Sequence, residues 1–141
     1  MIPKFRVFDK KYKKIMKVNE INFEKSSVWI ESDSGDHENR HTLTRVFEDL
    51  ILMQSTGLFD IHGVEIFEGD VLEVRSELFT NFGTEATGEY STEIKQVIWI
   101  LDSWGTKRLG SDYESKQLSI TSKYGTVIGN IYENPELLED V

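Results

Sequence analysis

The chain has 141 residues, of which 38% are hydrophobic, including three Trp, five Tyr and eight Phe. That length favours one domain, and that much apolar material excludes general disorder. Sixteen Lys and Arg against 25 Asp and Glu leave a net charge of −9, which repels phosphate backbones and argues against general nucleic-acid binding.

Cysteine is absent, so disulfides and thiolate metal sites are excluded and a reducing, cytoplasmic setting is expected. The opening MIPKFRVFDKKYKK has no apolar core of the kind a signal peptide needs. The longest apolar runs, 97–101 and 50–53, fall far short of the roughly 20 residues that span a bilayer, so no membrane segment is expected. Charge is uneven: through Lys17 the chain carries Lys4, Arg6, Lys10, Lys11, Lys13, Lys14 and Lys17 against Asp9 alone. A cluster like that is commonly a solvated hairpin turn or a charged strand edge.

In chain order, 4–8 alternates polar and apolar and reads as a strand, 9–14 as a polar turn and 15–18 as the returning strand. Alternation resumes over 20–24, and 28–30 follows as a short strand. The polar stretch 32–39 around Gly35 is a loop. Segment 44–53 spaces Val46, Phe47, Leu50 and Ile51 as a helix would, and reads as a short helical turn leading into a strand at 51–54. Gly57 and Gly63 bracket Asp60 in a stretch suited to turns with positive φ. After a short strand or turn at 64–67, Glu68-Gly69-Asp70 turns the chain into a firm strand at 71–74. Such a turn running into an apolar strand is common in SH3-like barrels.

Segment 80–91 is polar, with Gly83 and Gly88, and reads as a mobile loop at a hairpin tip. The segment 93–101 is the strongest strand pattern, its middle expected to be buried on both faces. Trp104 and Gly105 fall in a predicted turn over 102–110. Strands are predicted at 117–121 and 126–131. A terminal helix is predicted from Asn134, with that residue as N-cap, Pro135 at the first helical position and Glu136 in the first turn.

Candidate chemistry is sparse. His37 and His41 lie beside Asp33, Asp36 and Glu38, a set that invites a metal; the pattern suits a solvated loop better, and the order of a calcium loop is missing. Glu65, Glu68, Asp70 and Glu73 are close enough in sequence for paired-carboxylate chemistry, but an acidic turn entering a strand explains them equally. No nucleophile elbow occurs, and Gly57, Gly63 and Gly69 do not form a phosphate-binding pattern. Trp99 and Trp104 near Phe79 and Phe82 could present a stacking platform for single-stranded nucleic acid; the acidic charge favours core packing or a protein interface instead.

The stretch 52–71, LMQSTGLFDIHGVEIFEGDV, resembles the hallmark of the YopX family. The tail 128–138, IGNIYENPELL, is similar to that family's other signature, and the opening 4–9 to its usual start. His62 departs from the pattern, which usually has Asn before the glycine. The resemblance implies a phage or prophage origin and a mostly β fold, and brings no catalytic residues with it. Its signature residues Gly57, Asp60, Gly63, Glu68, Gly69, Asp70, Gly129, Asn130, Tyr132, Asn134 and Pro135 are of the types that fix turns and caps, so a structural role is expected for them.

The expected protein is therefore mainly β: a small SH3-like barrel core with an additional N-terminal β-hairpin or sheet and a short C-terminal helix. It is one domain over 1–141, divisible into an N-terminal β part over 1–50 and a barrel-like core over 51–141. The expected role is non-enzymatic binding of a host or phage protein, with self-association into a homo-oligomer, and with no metal or cofactor. The alternative is nucleic-acid binding by the basic N-terminal hairpin.

Overall fold

The structure, a computed structural model, describes residues 4–32, 41–80, 83–109, 114–116 and 118–138. The chain divides into two compact units, Met1–Ser55 and Thr56–Val141.

The first unit is an antiparallel sheet, a four-stranded meander whose fifth strand returns beside the first. Its strands are β1 (Phe5–Asp9), β2 (Lys14–Asn22), β3 (Ser27–Ser32), β4 (His41–Val46) and β5 (Leu50–Phe59), whose last four residues belong to the second unit. β1 pairs with β2 on one side and β5 on the other, with Val7 opposite Met16 and Leu52. Alternation along these strands sends Val7, Met16, Val28 and Ile30 to one core with Leu50, against which Val18, Ile21 and Leu43 pack. On the opposite face Trp29, directly across from Glu20 and Thr44, is half exposed.

The basic turn between β1 and β2 is organised by a carboxylate. Asp9 is fully buried; its Oδ1 accepts the Lys11 N–H at 2.9 Å and its Oδ2 accepts Arg45 Nε at 3.3 Å. Its carbonyl accepts the N–H of Lys13 at 2.7 Å, and Lys13 takes φ 55° to close the turn.

A 3-10 turn over Phe47–Asp49 leads into β5, as the helical spacing predicts. β5 itself runs well beyond the predicted 51–54. Gly57 adopts φ 77° inside the strand, and the Thr56 hydroxyl accepts the Leu58 N–H while donating to the Ile66 carbonyl at 2.7 Å. The positive φ that glycine permits is taken up within a continuous strand and does not reverse the chain.

The second unit continues with β6 (Glu65–Phe67), β7 (Asp70–Thr80), β8 (Glu85–Ile100), β9 (Ser103–Arg108), β10 (Glu114–Ser115), the one-turn helix α1 (Leu118–Thr121) and β11 (Gly125–Asn130). Two sheets result, with strand orders β4-β3-β2-β1-β5-β6 and β10-β9-β8-β7-β11. The second unit's core is Ile66, Leu72, Val74, Val97 and Leu118, with Leu58, Trp104 and Val127 against it. In the five-stranded order β10 and β11 lie at opposite ends, so the described strands form an open sheet and do not close into a barrel.

Several local expectations are corrected. The predicted strand at 117–121 is α1, closed by the Ser122 N–H on the Leu118 carbonyl at 2.8 Å, and Leu118 is inserted into the core at 1% exposure. Trp104 and Gly105 sit in β9 and not in a turn. A Cβ on Gly105 would collide with the Ser115 carbonyl and the end of Ile100, so that glycine serves the close passage of β10. In β8 Val97 is buried, but Gln96 and Ile98 are half-buried and Trp99, on the same face as Val97, is half exposed, so the middle of the strand is not buried on both faces. The expected loop over 80–91 is largely strand. The expected terminal helix is a single 3-10 turn, Pro135–Leu138. The loop expected at 32–39 lies, beyond Ser32, outside the described residues. No helix among the described residues is long and apolar enough to cross a membrane.

Candidate functional site

Asp60 closes the loop that follows β5. It is 6% exposed, and its Oδ1 accepts the N–H groups of His62 at 2.8 Å and Val64 at 2.9 Å. Its Oδ2 accepts the Val127 N–H of β11 at 2.9 Å. Gly63, at φ 81°, supplies the reversal between them, and its N–H donates to the Asp60 carbonyl at 3.1 Å. The Ile61 N–H adds a bond to the Gly125 carbonyl at 3.0 Å. Burial pushes the Asp60 carboxyl up, but the Val127, Val64 and His62 N–H groups and the His62 ring outweigh it and hold the carboxyl below its ordinary value.

The Glu68-Gly69-Asp70 turn is built on the same plan. Asp70, 1% exposed, accepts the Phe67 N–H at 2.8 Å. Gly69, at φ 87°, donates its N–H to the Val97 carbonyl and accepts the Ile131 N–H, both at 3.0 Å. Asp70 faces Asn130 across the β7–β11 pair. Asn130 organises the corner beyond β11: its Oδ1 accepts the N–H groups of Tyr132 and Glu133 at 3.0 and 2.8 Å, and its Nδ2 donates to Glu133 Oε1 at 3.1 Å.

Asn134 does not use its side chain as the expected N-cap. Its Oδ1 reaches back to the Asn130 N–H at 3.2 Å, while its carbonyl accepts the Leu137 N–H at 3.0 Å. Gly129 allows this: a Cβ there would overlap Asn134 Oδ1 and lie 2.8 Å from its Cγ. Pro135 opens the 3-10 turn and is exposed.

The two signature stretches, 52–71 and 128–138, thus meet through Gly69 with Ile131 and Asp70 with Asn130, and Asp60 is tied to β11 just before the second stretch. Gly57 stands apart, within β5. Glu68 and Tyr132 form the electrostatic part of this corner. Burial raises the Glu68 carboxyl; burial and then the negative charge of Glu68 raise the Tyr132 phenol. Of the other carboxylates considered for acid–base work, Glu73 is exposed on β7 and Glu65 half-buried on β6. Asp60 gives both its oxygens, and Asp70 its Oδ2, to backbone N–H groups that close turns. Among the described residues no group of three or more His, Asp or Glu is placed to hold a metal ion. His37 lies outside those residues.

A second feature is the ribbon formed by the far ends of β7 and β8. Over Arg75–Thr80 and 85–92 every residue is exposed except Glu77, which is half-buried. Leu78, Phe79 and Tyr90 are 41%, 55% and 48% exposed. Tyr90 lies opposite Glu77 and Phe79 opposite Ala86, with an irregularity between, and Gly88 there has φ 77°. The Arg75 guanidinium stacks over the Tyr90 ring at 4.0 Å. The sequence predicts a loop over 80–91 because Thr, Gly and Glu dominate it. Leu78 and Phe79 just before that stretch and Tyr90 within it are the signal against a solvated tip. The Trp99–Trp104 pair meets edge to face at 4.8 Å, with Trp99 Nε1 donating to the Leu101 carbonyl at 2.9 Å. Those rings pack on each other across β8 and β9, and Phe79 pairs with Ala86 on the ribbon. Phe82 lies outside the described residues.

Two antiparallel sheets in two units, joined to turn motifs anchored by buried Asp and Asn, define a class of small β proteins. Residues 4–139 match the family described as YopX protein, and the chain belongs to that family. Among solved structures, the crystal structure of protein EF1440 from Enterococcus faecalis is similar over 98% of this chain and 99% of its own, with a TM-score of 0.60 and 25% sequence identity. No curated protein matches the chain.

Proposed function

We propose that this protein is a non-enzymatic accessory protein of phage or prophage origin that acts in the host cytoplasm by binding another protein and by associating with itself. The β7–β8 ribbon carries this reading. A two-stranded ribbon is marginally stable alone in water, and aromatic residues on such an arm are enriched where proteins meet. At about 3.4 Å per residue, the six residues Arg75–Thr80 extend on the order of 20 Å. Size-exclusion chromatography with light scattering tests self-association. An oligomer of the full chain is expected, and a strict monomer at ~100 µM would exclude it.

On the fold, the second unit reads as an opened SH3-like barrel. β7 to β10 form a four-stranded meander and β11 returns beside β7, with the one-turn helix α1 immediately before it. Binding of nucleic acid by the basic hairpin gains nothing from the geometry. Lys10 Nζ donates to the Glu48 carbonyl, Lys14 Nζ to the Ser32 hydroxyl, and Lys11 lies 3.5 Å from Asp49, so these lysines are engaged with protein oxygens.

A further inference from the structure

A strand that ends a sheet presents N–H and C=O groups ready to pair with another chain, and monomeric proteins block such edges with charge, proline, bulges or short strands. The two sheets here end in β4, β6, β10 and β11. β6 and β10 are three and two residues long. β11 is bulged between Val127 and Gly129, and its Val127 N–H and Gly125 carbonyl are taken by Asp60 and Ile61. The free lengths of β7 and β8 carry Glu77, Glu85 and Glu89 and a register irregularity. β4 has none of these devices. It runs six residues, HTLTRV, in unbroken register with β3 from the Ser27–Val46 pair to the Ser32–His41 pair. The guanidinium of Arg45 is held by buried Asp9 at 3.3 Å.

The Phe47 N–H donates to the Ser26 carbonyl at 2.9 Å, one step outside the Ser27–Val46 pair. That pair is therefore of the non-hydrogen-bonded kind, and Thr42, Thr44 and Val46 turn their backbone groups away from β3. Among the described residues no hydrogen bond reaches those outward groups. All three residues are exposed, Val46 at 49%. We propose that β4 pairs edge to edge with β4 of a second copy, antiparallel about a two-fold axis at Thr44, so that the two six-stranded sheets run on as one. The inference rests on the self-association proposed above; it places that contact on the first unit and leaves the β7–β8 ribbon for a different protein. A second copy is the occupant because the edge is complementary to itself. With the axis at Thr44, Thr44 meets Thr44 and Thr42 meets Val46 in both directions, each pair exchanging its backbone bonds, and no outward group from Thr42 to Val46 is left over. Exposed face meets exposed face, so the neighbours are Thr with Thr and Thr with Val, residues that suit a pleated surface. On the other face Leu43 meets Arg45, and no like charges are opposed.

The chain has no cysteine, so single cysteines introduced into the full chain report the register. Thr44→Cys should give a disulfide-linked dimer under mild oxidation, since residues opposed across the axis lie about 5.5 Å apart at Cα. Thr42→Cys and Val46→Cys should cross-link little alone, each being roughly 14 Å from its own copy, and readily when mixed. Two further variants block the edge. Thr44→Lys sets like charges opposite each other, and Thr44→Pro removes an N–H that bonds none of the described residues. Each should associate at least about tenfold more weakly than the parent by light scattering, while circular dichroism shows it folded; should the proline variant unfold, Thr44→Lys decides. If the parent assembles and Thr44→Lys assembles equally, or if Thr42→Cys cross-links alone as readily as in the mixture, the inference fails while self-association stands. If the parent is monomeric, both fail and the edge is open to a strand from another protein.

Discussion

Asp60 Oδ2 and the Val127 N–H are 2.9 Å apart and 67 positions distant in sequence. With the two bonds at Oδ1, one carboxylate holds three backbone donors from two segments. Asp60→Ala leaves those donors without their acceptor; at about 1–3 kcal/mol for each buried unsatisfied group, offset where water enters, the expected loss is about 2–4 kcal/mol. Urea unfolding measures it. Asp60→Asn, which keeps oxygen acceptance at one position, should lose less.

The same carboxyl sets an acid limit. Its folded pKa is held below the ordinary value, so the stabilisation is present above the unfolded value near ~4 and is lost as pH falls through the folded value. The thermal midpoint of the parent should drop across that window, and Asp60→Asn should flatten the drop. An identical acid profile for the two proteins would contradict the assignment.

Glu68 has the opposite sign. Its carboxyl is raised by burial, so its contribution favours folding below the unfolded value and is lost as pH rises through the folded one. Glu68→Gln should therefore be at least as stable as the parent at neutral pH, with the difference closing in acid. In the same variant the Tyr132 phenol, freed from the negative neighbour, should titrate at lower pH, which ultraviolet absorbance follows.

Gly129 and Asn134 form a coupled pair. Gly129→Ala should destabilise by about 2–3 kcal/mol, since Asn134 is tied to the Asn130 N–H and cannot swing aside freely. Asn134→Ala removes that tie and the obstruction together. The double variant should then be less destabilised than the sum of the single ones, a non-additivity read from a double-mutant cycle.

Asp9 is the matching test in the first unit. It is fully buried and holds Lys11 N–H and Arg45. Asp9→Ala should cost about 3–5 kcal/mol, because it strands a charge that is itself mostly buried. Arg45→Met with Asp9→Leu should recover part of that loss. Urea unfolding of the three proteins gives the comparison.

Much of the first unit was legible because its alternation has one outcome: Val7, Met16 and Ile30 can face a core only if the strands pair as they do. The turns at Asp60 and Asp70 were legible too, since Gly63 and Gly69 demand positive φ beside a side chain able to accept backbone N–H groups. What the residues alone concealed were contacts at long range. Nothing local in LSIT announces that Leu118 will be buried, and that burial turns a strand-like tetrapeptide into a helix. Gly105 looked like a turn residue because the chain that passes over it, at Ser115, is ten positions away. The ribbon was hidden by its composition, as polar strands without a covering layer have the residue content of loops. Of the candidate site, the residues were nameable in advance; that the two signature stretches touch at Gly69 and Ile131 was not.

The bond from Asp60 to Val127 also has a meaning in time. It spans β6 to β11, so it closes only after a long stretch of chain has been brought round, an entropic expense that local hairpins such as β7–β8 avoid. The Val127 amide proton therefore marks the completion of the second unit: in a refolding experiment pulsed with deuterium it should gain protection after the amides of β7 and β8, making one buried aspartate the clasp that is fastened last.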